Sequence, residues 1–211
     1  MKIDRLILGE FETNSYVVRE SESAVDCLII DTGLDASDLI EFLQQHRLNP
    51  VAVILTHGHV DHIVGLGALR GHFPHIKVYI HRLDAPMLAD PRANLSVLTG
   101  MTFRSGPPDV LLEDGDVIEE AGIKLKVLHT PGHTTGGICL YAESEDVVFV
   151  GDTLFADSVG RTDFPGGDMD QLLQSIRTKL FPLPDKTAAY PGHGMRTTLG
   201  REKRANPFLQ G

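Results

Sequence analysis

The chain has 211 residues, 42% of them hydrophobic and 23% charged, with a formal net charge of -10 and a pI near 5.4. That composition suits a single globular domain over residues 1–211, and without a dense Lys/Arg cluster it speaks against nucleic acid as a partner. The first residues lack the apolar run of a signal peptide and no stretch reaches membrane-spanning length, so a cytoplasmic location with no membrane partner is expected.

In chain order, strands are expected at 2–8, 14–18 and 25–30, separated by Gly9 and by Glu20-Ser21-Glu22-Ser23. Asp31-Thr32-Gly33 ends the third. The same triplet occurs in aspartic proteases, but one copy in a chain too short for two lobes argues against that chemistry. Asp31 then has two readings: a turn former, or a carboxylate that holds a ligand imidazole by its second ring nitrogen. Leu39, Ile40 and Leu43 at helical spacing predict a helix over 36–46, closed by Asn49-Pro50.

The apolar run 51–55 leads into Thr56-His57-Gly58-His59-Val60-Asp61-His62. Three imidazoles and a carboxylate this close together need polar partners wherever they are buried, and a metal is the economical one. In extended chain His57 and His59 point the same way, while Asp61 and His62, at the start of a helix, turn toward a neighbouring position. That arrangement suits two adjacent ions better than one.

A helix is expected over 63–73. Gly65, Gly67 and Gly71 lack dinucleotide-fingerprint spacing and read as packing glycines. His72, His75 and His81 are isolated and stay outside the site. Residues 82–108, broken by four prolines, read as a loop-rich cover in which Met87, Leu88, Met101 and Phe103 either face a substrate or pack, with packing favoured. Strands follow at 110–112, 117–119, 123–128, 138–141, 147–150 and 187–190, with a helix at 172–180. Cys27 and Cys139, inside strand-like runs, read as small buried hydrophobes.

One pattern recurs. Four times an apolar strand runs into a glycine-marked loop that carries a potential metal ligand: His57 with His59, Asp61 and His62; then His133; then Asp152; then His193. Each of the last three alone is a weak signal. Together with the histidine stretch they make a strong one.

These residues, from Asp31 to His193, resemble the metallo-beta-lactamase superfamily and, within it, the glyoxalase II-like hydrolases. The resemblance implies an α/β fold, a four-layer αββα sandwich with the metal site at one edge of the paired sheets. It implies a first metal on His57, His59 and His133, a second on Asp61, His62 and His193, and Asp152 as the bridge. Asp61 and Asp152 are thereby the carboxylates on which catalysis depends. Gly160 to Phe164 is similar to the loop that places a basic side chain, here Arg161, near the substrate carboxylate. Only eighteen residues (211 - 193) follow His193, where full-length glyoxalase II carries a helical extension that contacts glutathione. The likeness is therefore to the compact branch.

Nitrogen and carboxylate ligands without cysteine make zinc the first choice for two divalent ions, with iron or manganese suited to the same shell. Two such ions change the formal charge to -10 + 4 = -6. The expected partner is a small thioester such as S-lactoylglutathione, because a thiol leaves unaided and an amine needs a proton. Asp163 reads as the anchor of Arg161 rather than as an acid. The alternative is a persulfide dioxygenase with a single iron; those enzymes share the ligand pattern but usually carry Cys where this chain has Gly58. The third reading is a non-catalytic metal-binding domain, disfavoured because all seven expected ligands are present.

Overall fold

Strands that are apolar at every position need cover on both faces, and that requirement sets the architecture. In the computed structural model, which describes residues 1–210, the first sheet is built in chain order from β1 (Lys2–Leu8), β2 (Thr13–Arg19), β3 (Asp26–Ile30), β4 (Asn49–Ile54), β5 (Lys77–His81) and β6 (Val110–Leu112). β1 to β3 pair antiparallel and β3 to β6 parallel. The later strands are β7 (Val117–Glu120), β8 (Ile123–His129), β9 (Ile138–Ala142), β10 (Val147–Gly151), the hairpin β11 (Leu154–Phe155) and β12 (Ser158–Val159), then β13 (Ala188–Pro191) and β14 (Thr197–Thr198). The second sheet has the order β14-β13-β10-β9-β8-β7, with β10 and β13 parallel.

Alternation along the strands sends successive residues to different layers. Leu28, Ile30, Ala52 and Ile54 meet Leu125, Val127, Leu140 and Phe149 between the sheets. Cys27, Ile29, Val53 and Leu55 face outward onto α1 (Ser37–Gln45) and α3 (Leu66–His72). Cys139, Val148 and Val150 face outward onto α4 (Met169–Ser175) and α5 (Leu199–Ala205). The layers are αββα. The two cysteines lie on the outer faces of opposite sheets, both free and buried, with thiols pushed up by burial to about 12 and about 11.

Several expected elements change form. The single helix over 63–73 is instead α2 (Val60–Ile63) and α3, separated at Val64-Gly65. Gly65 lies so close to the Asp31–Gly33 turn that a Cβ on it would stand 2.6 Å from the Thr32 carbonyl oxygen, and its N–H donates to Gly33. β4 starts at Asn49, before the proline, because Pro50 falls at a register irregularity beside β3. The helix expected at 172–180 starts at Met169, capped by the Asp168 side chain, and finishes as the π-helical turn Ile176–Leu180. The region 82–108 holds two 3-10 turns, Ala85–Ala89 and Ser96–Thr99. No helix among the described residues is long and apolar enough to cross a membrane.

α5 is held by a buried carboxylate. Glu202 accepts from the Asp157 N–H, the Thr197 hydroxyl, the Asn206 amide and Arg201. Removing it leaves buried donors without acceptors, so Glu202→Ala is expected to lose about 2–4 kcal/mol of stability, read from the shift of the urea midpoint.

Candidate metal centre

The strand ends that carry the candidate ligands meet at one edge because the two sheets are stitched together there. The Thr56 carbonyl, just past β4, accepts the Ile138 N–H at the start of β9 (2.9 Å), and the Asn14 N–H of β2 donates to the Gly192 carbonyl just past β13 (2.7 Å). All seven predicted residues come together. Atoms able to hold a metal form three overlapping groups: His57, His59 and His133; His57, His62 and Asp152; Asp61, His62 and His193.

Asp152 stands between the two ends of the cluster. Its Oδ1 is 3.5 Å from His62 Nε2, and its Oδ2 is 3.7 Å from His133 Nε2 and 3.6 Å from His193 Nε2. Asp61 Oδ2 lies 3.2 Å from His193 Nε2 and 3.4 Å from His62 Nε2. Gly192 permits this approach: a Cβ there would fall 2.2 Å from Asp152 Oδ1 and 2.7 Å from His62 Cε1.

The outer nitrogens decide the chemistry of the inner ones. His133 Nδ1 donates to the Arg161 carbonyl (2.7 Å), His193 Nδ1 to the Phe11 carbonyl (3.0 Å) and His62 Nδ1 to Asp31 Oδ2 (2.9 Å). The Thr56 hydroxyl gives its proton to Asp31 (2.7 Å) and so accepts from His57 Nδ1 (3.1 Å). In their neutral forms these four rings, with tautomers assigned from the partners, face an unprotonated nitrogen inward. His59 Nδ1 and His133 Nε2 then stand 2.9 Å apart, and His133 Nε2 and His57 Nε2 3.3 Å apart. His62 Nε2 and Asp152 Oδ1 are buried with no partner among the described residues. Lone pairs and carboxylates converging in this way fit a divalent cation.

The charges agree. Burial, then the neighbouring imidazoles His62, His133 and His59, hold His57 well below its ordinary value. Burial, then His133, brings His59 down to about 3. These two rings stay neutral at pH 7. Burial works against charge on His62 as well, but Asp61, Asp31 and Asp152 outweigh it and raise that ring well above the usual range. Burial also disfavours the Asp61 carboxylate, yet His62 and His193 keep it ionised.

Sequence reasoning misses several residues that build the site. Asp84, fully buried, accepts from the Gly58 N–H (3.1 Å), the Thr134 hydroxyl (2.7 Å) and the Gly136 N–H (2.6 Å). It ties the loop of His57 and His59 to the loop of His133. Asn14 bonds the His193 loop through Gly192, Pro191 and Gly194, and Thr13 donates to Asp61 (3.3 Å). None of these stands in a motif. Met87, Leu88 and Phe103 pack: Leu88 lies in the helix-side core, Phe103 against it, and Met87 against Gly58. The cavity over the cluster, about 490 Å³, takes Leu95, Leu98 and Thr99 from that region instead. His81 is buried and stacked on His129, away from the cluster. Arg161, with the Asp163 carboxylate 2.7 Å from both Nε and Nη2, lines the cavity.

A model of the metallo-beta-lactamase superfamily matches residues 8–193. The chain belongs to that superfamily. The superfamily binds divalent metals, and membership supports a metal-dependent hydrolase. The chain is similar over 99% of its length to the hydroxyacylglutathione hydrolase GloC of Haemophilus influenzae (35% identical, 98% of that protein). It is also similar over its full length to the probable metallo-hydrolase YqgX of Bacillus subtilis (36%, 99% of that protein). Among solved structures it superposes on BLEG-1 B3 metallo-beta-lactamase with a TM-score of 0.94 (40% identical, 100% of both chains). TTHA1623 in a di-iron-bound form gives 0.84 (37% identical, 98% of this chain and 100% of that one).

Asp31 holds the His62 ring through Nδ1, so Asp31→Asn is expected to weaken divalent-cation binding roughly 10–100-fold, measured by competition with a chromophoric chelator. Asp84→Ala touches no candidate ligand but orphans three buried donors; it is expected to lose about 2–4 kcal/mol, read by denaturant unfolding.

Proposed function

We propose that this chain is a binuclear metal-dependent hydrolase of small thioesters, with His57, His59 and His133 holding one divalent ion, Asp61, His62 and His193 the other, and Asp152 bridging them. The observation that supports this reading is the convergence of seven donor residues in three overlapping groups, with Asp152 3.5–3.7 Å from His62, His133 and His193. Zinc is the ion of first choice for such a donor set, though the di-iron form of TTHA1623 keeps iron in view. Bound divalent ions lower the pKa of a water toward about 7 and polarise a carbonyl oxygen.

The chain's own residues do the rest. Asp31, the Arg161 carbonyl and the Phe11 carbonyl keep the imidazoles in the tautomer that faces inward. Phe164, 5.9 Å from the His59 ring and 4.0 Å beneath the Arg161 guanidinium, closes one side of the cavity against water. In the net reaction water adds its oxygen to the acyl carbon as the C–S bond breaks, and at neutral pH the products are a carboxylate, a thiol and one proton.

The leaving group selects the thioester. Asp163 does not donate a proton at pH 7, since its hydrogen bonds to Arg161 bring its carboxyl down to about 2. Among the described residues that line the cavity, only the candidate ligands, Arg161 and the Thr99 hydroxyl are polar. A thiol, with a pKa of about 8.5, departs without an acid, whereas an amine requires one.

The dioxygenase reading has a specific observation against it. The cysteine that such enzymes usually carry between the first two histidines has no room here, because a Cβ on Gly58 would lie 2.7 Å from Met87 Cβ and 2.8 Å from its sulfur.

Metal-loaded protein is expected to hydrolyse S-lactoylglutathione with no oxygen uptake and to act far more slowly on a β-lactam. Asp152→Ala is expected to abolish thioester turnover. Oxygen consumption on glutathione persulfide, a β-lactam preferred to every thioester, or full activity in Asp152→Ala would contradict the proposal.

A further inference from the structure

The cavity over the cluster has two unlike ends. On the side of His59 and His133 stand Arg161 and Phe164, joined to those imidazoles by the His133 bond to the Arg161 carbonyl and the Phe164 edge contact to His59. On the side of His193 stand Phe11, whose carbonyl fixes that ring, and Phe155, 6.3 Å from it. Leu95 and Leu98, on the turn bonded to Val60 between the two ends, add apolar surface to the wall of the same cavity. Folding leaves much of this wall in water: Leu98 is 68% exposed and Phe11 49%.

The turn that presents Leu98 is firmly held. The carbonyl of buried Asn94 accepts the Val60 N–H (2.9 Å), and its side chain donates to Met87 and Phe103. Buried Ser96 accepts the Phe103 N–H. Leu95 adopts φ +68, a left-handed backbone that a leucine seldom takes. An uncommon backbone beside a cavity, holding a leucine out toward solvent, is how a rigid apolar contact surface is made.

Charge is scarce in the same cavity. Among the described lining residues Arg161 is the one cation outside the histidine cluster; its bidentate pair with Asp163 occupies Nε and Nη2, and Nη1, with no partner among the described residues, is left for one further carboxylate. A glutathione thioester brings two carboxylates and an ammonium, and most of that charge finds no counter-charge here.

We infer that the preferred substrate is a thioester with an apolar acyl chain of several carbons, which runs toward Phe11 and Leu98, and a thiol half carrying a single carboxylate, which faces Arg161. This rests on the thioester-hydrolase reading and names its substrate class. The halves are assigned by charge: the departing sulfur gains negative charge, which is better placed at the guanidinium end than against phenyl rings.

The test uses the metal-loaded full chain and the acetyl, butanoyl and hexanoyl thioesters of 3-mercaptopropionate, with thiol release followed by a chromogenic disulfide. kcat/KM is expected to rise about fourfold per added methylene buried. Leu98→Ser and Phe11→Ser are expected to lower it more for the hexanoyl than for the acetyl ester at unchanged Tm. Arg161→Gln is expected to raise KM for the mercaptopropionate ester and not for the hexanoyl ester of uncharged N-acetylcysteamine. S-hexanoylglutathione is expected to be the poorer substrate. A flat chain-length series, or a glutathione thioester preferred over the mercaptopropionate ester of the same acyl group, would overturn this inference and leave the hydrolase reading standing. Failure to turn over any thioester would overturn both.

Discussion

Unprotonated nitrogens do not crowd together of their own accord. His57 and His133 bring ring nitrogens to within 3.3 Å of each other and His59 Nδ1 stands 2.9 Å from His133, beside two carboxylates, and the arrangement persists because the rings of His57, His62, His133 and His193 are held from behind. The holders are ordinary groups: a carboxylate on His62, a hydroxyl on His57, two backbone carbonyls on His133 and His193. Cation binding relieves the repulsion that folding has imposed, so binding free energy and fold stability are linked.

That linkage explains the position of the site. The cluster lies where the first sheet meets the second, and the same few bonds serve both purposes. Asn14 reaches from β2 to the loop after β13, Thr56 meets the start of β9, and Asp84 joins the loops after β4 and β8. A change at any of these contacts disturbs the packing of two layers as well as the geometry of the donors. The cavity is correspondingly asymmetric, with Arg161 at one end and phenyl rings at the other.

Most strands are legible in the sequence because both sheets are covered on both faces, which leaves runs such as 51–55 and 147–150 apolar throughout, whereas their layering follows from the resemblance to the superfamily. The candidate ligands are legible for the opposite reason: three imidazoles and a carboxylate between His57 and His62 have no packing explanation. What the residues do not announce is anything made by long-range approach. Asp84, Thr13 and Asn14 carry no local pattern; their partners lie many residues away in the chain. α5 has no counterpart among the predicted elements: Gly200 and the charged run Arg201, Glu202, Lys203 and Arg204 carry no apolar periodicity, and Glu202 is buried through partners that the local sequence does not name. The break at Gly65 depends on a neighbouring carbonyl, and the exposure of Leu98 on a turn entered through a left-handed Leu95, neither of which periodicity encodes.

The most direct test of the binuclear assignment is anomalous diffraction from crystals of zinc-loaded protein, collected on both sides of the metal edge. Two peaks about 3.5–4 Å apart are expected, one against His57, His59 and His133, the other against Asp61, His62 and His193, with Asp152 between them. A single peak, or two peaks with Asp152 turned away from both, would contradict the account.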